Sequence, residues 1–172
     1  QAQDEYIKAW CALKIMSKVY GFGDPDGFVF NMSVGYDLDG IKGRKVNTYI
    51  NNMMDAGKTA QFKECKKVLT ELFPEEKDFI ASISPNVSRS VTLSTLHGCP
   101  PQEIERIASY LLKEKHLHTF VKCNPTILGY KTARSILDSM GYDYIVFDEH
   151  HFNEDLQWED AVPMFERLQK LA

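Results

Sequence analysis

No run of ~18 apolar residues occurs anywhere in the 172-residue chain, so no membrane span is expected. Charge of one sign is also scarce. Twenty Lys and Arg stand against 24 Asp and Glu, for a net charge of −4, and the isoelectric point near 5.7 argues against a nucleic-acid surface. The first residues, Gln-Ala-Gln-Asp-Glu, have no apolar core of the kind a secretory leader needs. Cysteine is sparse: Cys11, Cys65, Cys99 and Cys123 are far apart with no C-x-x-C, which argues against a zinc ribbon or a local iron–sulfur ligand run. With no leader, reduced thiols and a cytoplasmic location are expected. The glycine-rich loops that cradle phosphates, G-x-G-x-x-G and G-x-x-x-x-G-K-[ST], are missing too. What remains is ordinary for a globular chain. At 44% hydrophobic and 26% charged, residues 1–172 read as one domain, or part of one, with a proper core and no linker or repeat.

The hydrophobic pattern alternates between two periods. Asp4 to Tyr20 reads as a helix capped by Asp4, with Tyr6, Ile7, Trp10, Cys11, Leu13 and Met16 on its apolar stripe. Phe28 to Val34 reads as a buried strand, and the polar loop 35–40 follows. Helices are expected over Lys45–Ala56 and Thr59–Leu72, then loop or a short helix over Phe79–Arg89. Val91 to Leu96 is a second strand, Pro101 to Lys115 a helix and Thr119 to Cys123 a third strand. Gly129 to Met140 is a helix closed by Gly141. Asp143 to Asp148 (DYIVFD) reads as a fourth strand and Trp158 to Leu171 as the last helix.

Strict alternation means α/β with a parallel sheet. Polar residues gather at every strand's carboxyl end, which suits the mouth of a barrel better than a doubly wound sheet. A whole barrel takes eight strands and ~250 residues. The chain therefore reads as a TIM-barrel fragment, about half of a (β/α)8 barrel. Its unpaired strand edges predict self-association or a covering helix.

The rim so defined holds Thr95, His97, Cys99, Lys122 and Asn124, with Asp37 and Asp39 after the first strand and Asp148, Glu149, His150 and His151 after the fourth. A lysine flanked by Val121 and Cys123 in a buried strand is costly unless it is functional or paired, for instance with Asp148. Cys99 sits before a helix that begins at Pro101. That loop is either a rigid connector or a place where the helix N-terminus lowers a thiol pKa. Adjacent histidines point opposite ways on a strand, so no metal site is assigned, although His97, Cys99 and His150 supply ligand types.

The segments TLSTLHGCPPQEIE, TFVKCNPTILGY, FNMSVGYDLDGI and MGYDYIVFDEHHFNEDLQWEDAVPM closely resemble the family named "putative selenate reductase" subunits. These are large proteins similar to the glutamate synthase small subunit and to dihydropyrimidine dehydrogenase. The resemblance implies an internal fragment of a dihydroorotate-dehydrogenase-like barrel within a longer multi-domain oxidoreductase. It implies FMN in that barrel, with 4Fe-4S, FAD and NAD(P)H (NADPH or NADH) in parts outside these residues. By the same resemblance Lys122 meets the flavin ring, and Asn124, Thr92 and Ser94 lie at the cofactor. Thr95 stands where related enzymes carry a cysteine base, so His97 or Cys99 would have to replace it, and Thr95, Asp37, Asp148 and His150 would contact substrate. The isolated fragment is expected to be inactive, with redox subunits or domains of the parent protein as partners. Two other readings stay open: a non-catalytic barrel that scaffolds redox subunits, and a metal-assisted hydrolase or lyase using His97, Cys99 and His150.

Overall fold

A computed structural model of the chain describes residues 2–94 and 98–172. Thr95, Leu96 and His97 therefore lie outside the described residues, and with them two of the expected site residues. The chain divides into two compact units, 1–32 with 42–90, and 33–41 with 91–172.

The first unit is built on α1 (Ala2–Tyr20), which places Ile7, Trp10, Cys11, Lys14 and Ile15 on its buried face. That face is rotated from the expected stripe: Tyr6, Leu13 and Met16 are exposed, and a lysine is inside. The helix starts before Asp4, so Asp4 is a first-turn acid rather than the cap. Ile7, Trp10 and Cys11 are common to the expected and the observed faces, and Trp10 anchors the buried face. Its ring packs edge-on to Phe28 and Phe30 at 5.4 and 5.5 Å, and its Nε1 donates to Ser84 O at 2.9 Å. Beside it the Lys14 ammonium lies 4.3 and 4.5 Å from the Trp10 and Phe28 ring centroids. That ammonium also donates to Pro25 O, so burial leaves it satisfied.

After β1 (Phe30–Val34) and α2 (Leu38–Lys42) come α3 (Arg44–Met54) and α4 (Ala60–Leu72). Thr59 caps α4, its hydroxyl accepting from Phe62 N at 3.2 Å. A 3-10 turn (Pro74–Glu76) leads into α5 (Lys77–Ser82), which overlaps only the start of the stretch Phe79–Arg89 where loop or a short helix was expected. The segment before β2 is tied to the end of α3 by Ala56 N to Pro85 O at 2.8 Å and Val87 N to Met53 O at 3.0 Å. Met32 and Met53 are buried, as core.

β1, β2 (Ser88–Leu93) and β3 (His118–Val121) form a parallel sheet in the order β1-β2-β3. The second unit holds its carboxyl ends, where Ser94 N donates to Val34 O at 2.8 Å and Lys122 N to Leu93 O at 3.0 Å. Between β2 and β3 runs α6 (Pro101–Lys113), with Ile104, Ile107, Ala108 and Leu111 buried at 3- and 4-residue steps. It packs on β3 and on α9 (Trp158–Gln169), where Ala161, Met164 and Leu168 are buried. Arg167 clamps the pair of helices, giving two 2.7 Å bonds to the Glu105 carboxylate. Pro163 lies inside α9.

The fourth strand is not formed. Residues 143–148 are turn and coil, and Tyr144 and Val146 are 73% and 92% exposed. One carbonyl of the segment, Ile145 O, and that of Tyr142 just before it are engaged locally. The Arg134 guanidinium, on α7 (Tyr130–Ser139), donates to both Tyr142 O and Ile145 O, while Ile145 N turns back to Tyr142 O at 3.1 Å. The edge of β3 that DYIVFD would have joined is therefore left unpaired among the described residues. The segment runs into a short α8 (Glu149–Asn153). No helix among the described residues is long and apolar enough to cross a membrane.

Candidate functional site

The second unit gathers the segments that follow each strand. Gly35, just past β1, must be a glycine for a local reason: a Cβ there would lie 2.8 Å from Ser94 O, a backbone atom. The close approach of these two loops positions Ser94, which like Thr92 is half-buried. Asp37 caps the turn into α2, its Oδ1 accepting from Gly40 N at 2.8 Å. Glu103 Oε1 accepts from Leu38 N at 3.0 Å and so joins α6 to α2.

The organising residue is one that sequence patterns did not single out. Asp155, between α8 and α9, is buried. Its Oδ1 accepts from Gly98 N at 2.6 Å and its Oδ2 from Asn124 Nδ2 at 2.9 Å. One carboxylate thus ties the loop after β2 to the loop after β3. Only its place in a loop full of acids was visible in the sequence, and nothing there marks it from Glu149 or Glu154.

Cys99, Lys122, Cys123, Asn124 and Asp155 surround a cavity of only about 10 Å³. The structure therefore unites three of the expected residues, but around a closed cleft. Of the two readings of the Cys99 loop, the direction of the thiol's shift sides with the rigid connector. Burial, with the Glu103 and Asp155 carboxylates behind it, pushes the thiol's pKa up. Burial likewise pushes up the Cys123 thiol.

Lys122 also departs from expectation. It is exposed, one residue past the end of β3, not enclosed in a strand. The reason is the missing neighbour: nothing among the described residues covers that face of β3, and Phe120, two residues earlier, is 58% exposed beside it. Lys122 makes no ion pair among the described residues, so the alternative of a structural pairing with Asp148 is not formed. Asp148 instead caps α8, accepting from His150 N at 2.7 Å and from His151 N at 3.4 Å. Those bonds, His150's first, hold its carboxyl below the usual range.

A larger pocket of about 550 Å³ lies in this unit, walled by Leu128, Ile136, Phe147 and Phe152 and bordered by Asn124, Asp148, His151 and Asp155. Tyr130 packs edge-on against Phe147 and Phe152 at 5.1 and 5.6 Å, and those two rings lie tilted at 5.5 Å. His151, not the expected His150, faces it. His150 is exposed, 3.5 Å from Glu154. Reading DYIVFD as a strand hid this pocket, because its wall exists only when Phe147 and Asp148 leave the sheet. Among the described residues no group of His, Cys, Asp and Glu is arranged to hold a metal.

Comparison with known proteins places the chain in a family. Residues 1–172 match the family model described as "Oxidoreductase YgfK, N-terminal TIM-barrel domain". Two curated proteins named "Putative oxidoreductase YgfK", from Escherichia coli strain K12 and from Escherichia coli O157:H7, are each 43% identical over 188 residues. The match takes in 100% of this chain and 18% of each relative, so the chain spans less than a fifth of their length. No solved structure matches the chain.

Proposed function

The chain belongs to the family of YgfK oxidoreductase N-terminal TIM-barrel domains, and from that premise we propose that its β2–β3 rim is the FMN-facing part of a redox barrel. The observation that carries the proposal is Lys122, an exposed ammonium with no ion-pair partner among the described residues, sharing an open strand face with Phe120. A cation held there has no structural charge to neutralise, and it suits a ligand that gains negative charge. The residues fit such a group in kind: an ammonium at Lys122, hydroxyls at Thr92 and Ser94, and Asn124 steadied by Asp155. The 10 Å³ cleft fits no ring, so a flavin would lie over the open face of β3.

FMN, when bound, would supply hydride or electron transfer. The chain's own residues orient the ring and stabilise its reduced anion through Lys122. A thiol pushed up in pKa keeps its proton at neutral pH, so Cys99 suits proton donation better than attack. The barrel would be completed by other parts of the parent protein, or an open edge of β1 or β3 covered by a second copy. Iron–sulfur, FAD and NAD(P)H centres would lie in those other parts, and the isolated chain would be inactive. The relatives' name supports an oxidoreductase without supporting selenate as substrate.

The test is the midpoint potential of FMN in the full-length protein. Lys122→Ala should lower it by on the order of 30 mV, equal to ~1.4 kcal/mol for a two-electron couple, and Lys122→Arg should restore most of the loss. An unchanged potential refutes the assignment. The filled cleft favours one other reading, a barrel that scaffolds redox partners, and in that case no flavin would be found to titrate.

A further inference from the structure

Two thiols with no part in the redox rim meet in the first unit. Cys11 lies on the buried face of α1, 1% exposed, and Cys65 is half-buried on α4, the helix packed against it. The two side chains face each other across the α1–α4 contact, where both border one pocket. Burial first, then the neighbouring Cys65 sulfur, pushes the Cys11 pKa up to about 12. Both cysteines line a pocket of about 320 Å³ whose walls include Lys8, Gln61 and Glu64, and Gln61 Nε2 donates to Cys65 Sγ at 3.4 Å. The pocket gives Cys65 access to a small reagent, while Cys11 lies behind it. All four cysteines are free thiols.

We propose that Cys11 and Cys65 form a reversible dithiol, which a low-molecular-weight disulfide oxidises to a cross-link between α1 and α4. The more accessible Cys65 reacts first. Its thiolate attacks one sulfur of the reagent, forming a mixed disulfide and breaking the reagent's S–S bond. The released thiolate takes up the proton that Cys65 gave. Capping Cys65 removes its charge from beside Cys11, which eases deprotonation of the buried thiol. The Cys11 sulfur then attacks the Cys65 sulfur, and the second reagent thiolate leaves with the Cys11 proton. Two cysteines are oxidised by two electrons in all, and one small disulfide is reduced to two thiols.

The probe is oxidised glutathione added to the reduced full-length protein, followed by peptide mapping without reductant. The expected wild-type product is one peptide pair joined through Cys11 and Cys65, which reverts on adding a thiol. Cys11→Ser should stop at a glutathione adduct on Cys65, and Cys65→Ser should lose the linked pair altogether. The wild-type map needs no variant, so misfolding of Cys11→Ser cannot mask the answer. Free Cys11 and Cys65 after treatment, or adducts confined to Cys99 and Cys123, would overturn the proposal.

Discussion

Replacing Asp155 by alanine should loosen the loops after β2 and β3 while leaving the first unit intact. Its carboxylate accepts from Gly98 N at 2.6 Å and from Asn124 Nδ2 at 2.9 Å. Hydrogen bonds to a charged acceptor contribute ~1.5–3 kcal/mol each. Gly98 is exposed, so water replaces much of its bond. Asn124 is half-buried and is compensated less. The net local loss is then ~2–3 kcal/mol, which is roughly a 30- to 150-fold rise in the opening equilibrium. Amide exchange followed by mass spectrometry on the full-length protein reads this directly. Peptides covering residues 98–101 and 122–128 should exchange faster by that factor, and a peptide from α4 should not change. Asp155→Asn keeps one acceptor but sets its NH2 against that of Asn124, so it should fall between. Exchange within about twofold of wild type in both loops would refute the role given to Asp155, and equal acceleration in α4 would show general unfolding instead.

Two further outcomes follow from the same loops. The Cys99 thiol is pushed up by burial and by Glu103 and Asp155. Its alkylation rate should therefore rise with pH through a midpoint above that of a free cysteine, and that midpoint should fall in Asp155→Ala. A midpoint below the free value would contradict the cause assigned. Gly35→Ala places a methyl 2.8 Å from Ser94 O, and overpacking against backbone should cost ~1–3 kcal/mol. Faster exchange over residues 91–94 would report it, and no change would mean the loops yield freely.

Much of the fold was legible because helix period is a strong signal where one face is buried. The expected limits of α4 and α6 fall within a residue or two of those observed. Apolarity alone misplaced the α1 stripe, since Lys14 buries an ammonium against Trp10 and Phe28 while Leu13 and Met16 face out. The same weakness produced the fourth strand. A β-rich hexapeptide becomes a strand only beside another strand, and Arg134 had already engaged the carbonyls of Tyr142 and Ile145. Lys122, Cys99 and Asn124, picked out by their chemistry and their place after the strands, do line one small cleft. Asp155 was not picked out, because its importance lies in two partners, Gly98 and Asn124, far from it in sequence and brought to it only by the fold.

The most direct measurement is the absorbance spectrum of the purified full-length protein, with and without added FMN, for wild type and Lys122→Ala. A flavin band in the wild type that weakens in the variant is the predicted result and places Lys122 at the ring. Folded protein with no flavin in either form, even after FMN is added, would contradict the FMN-facing rim and leave the barrel as a scaffold.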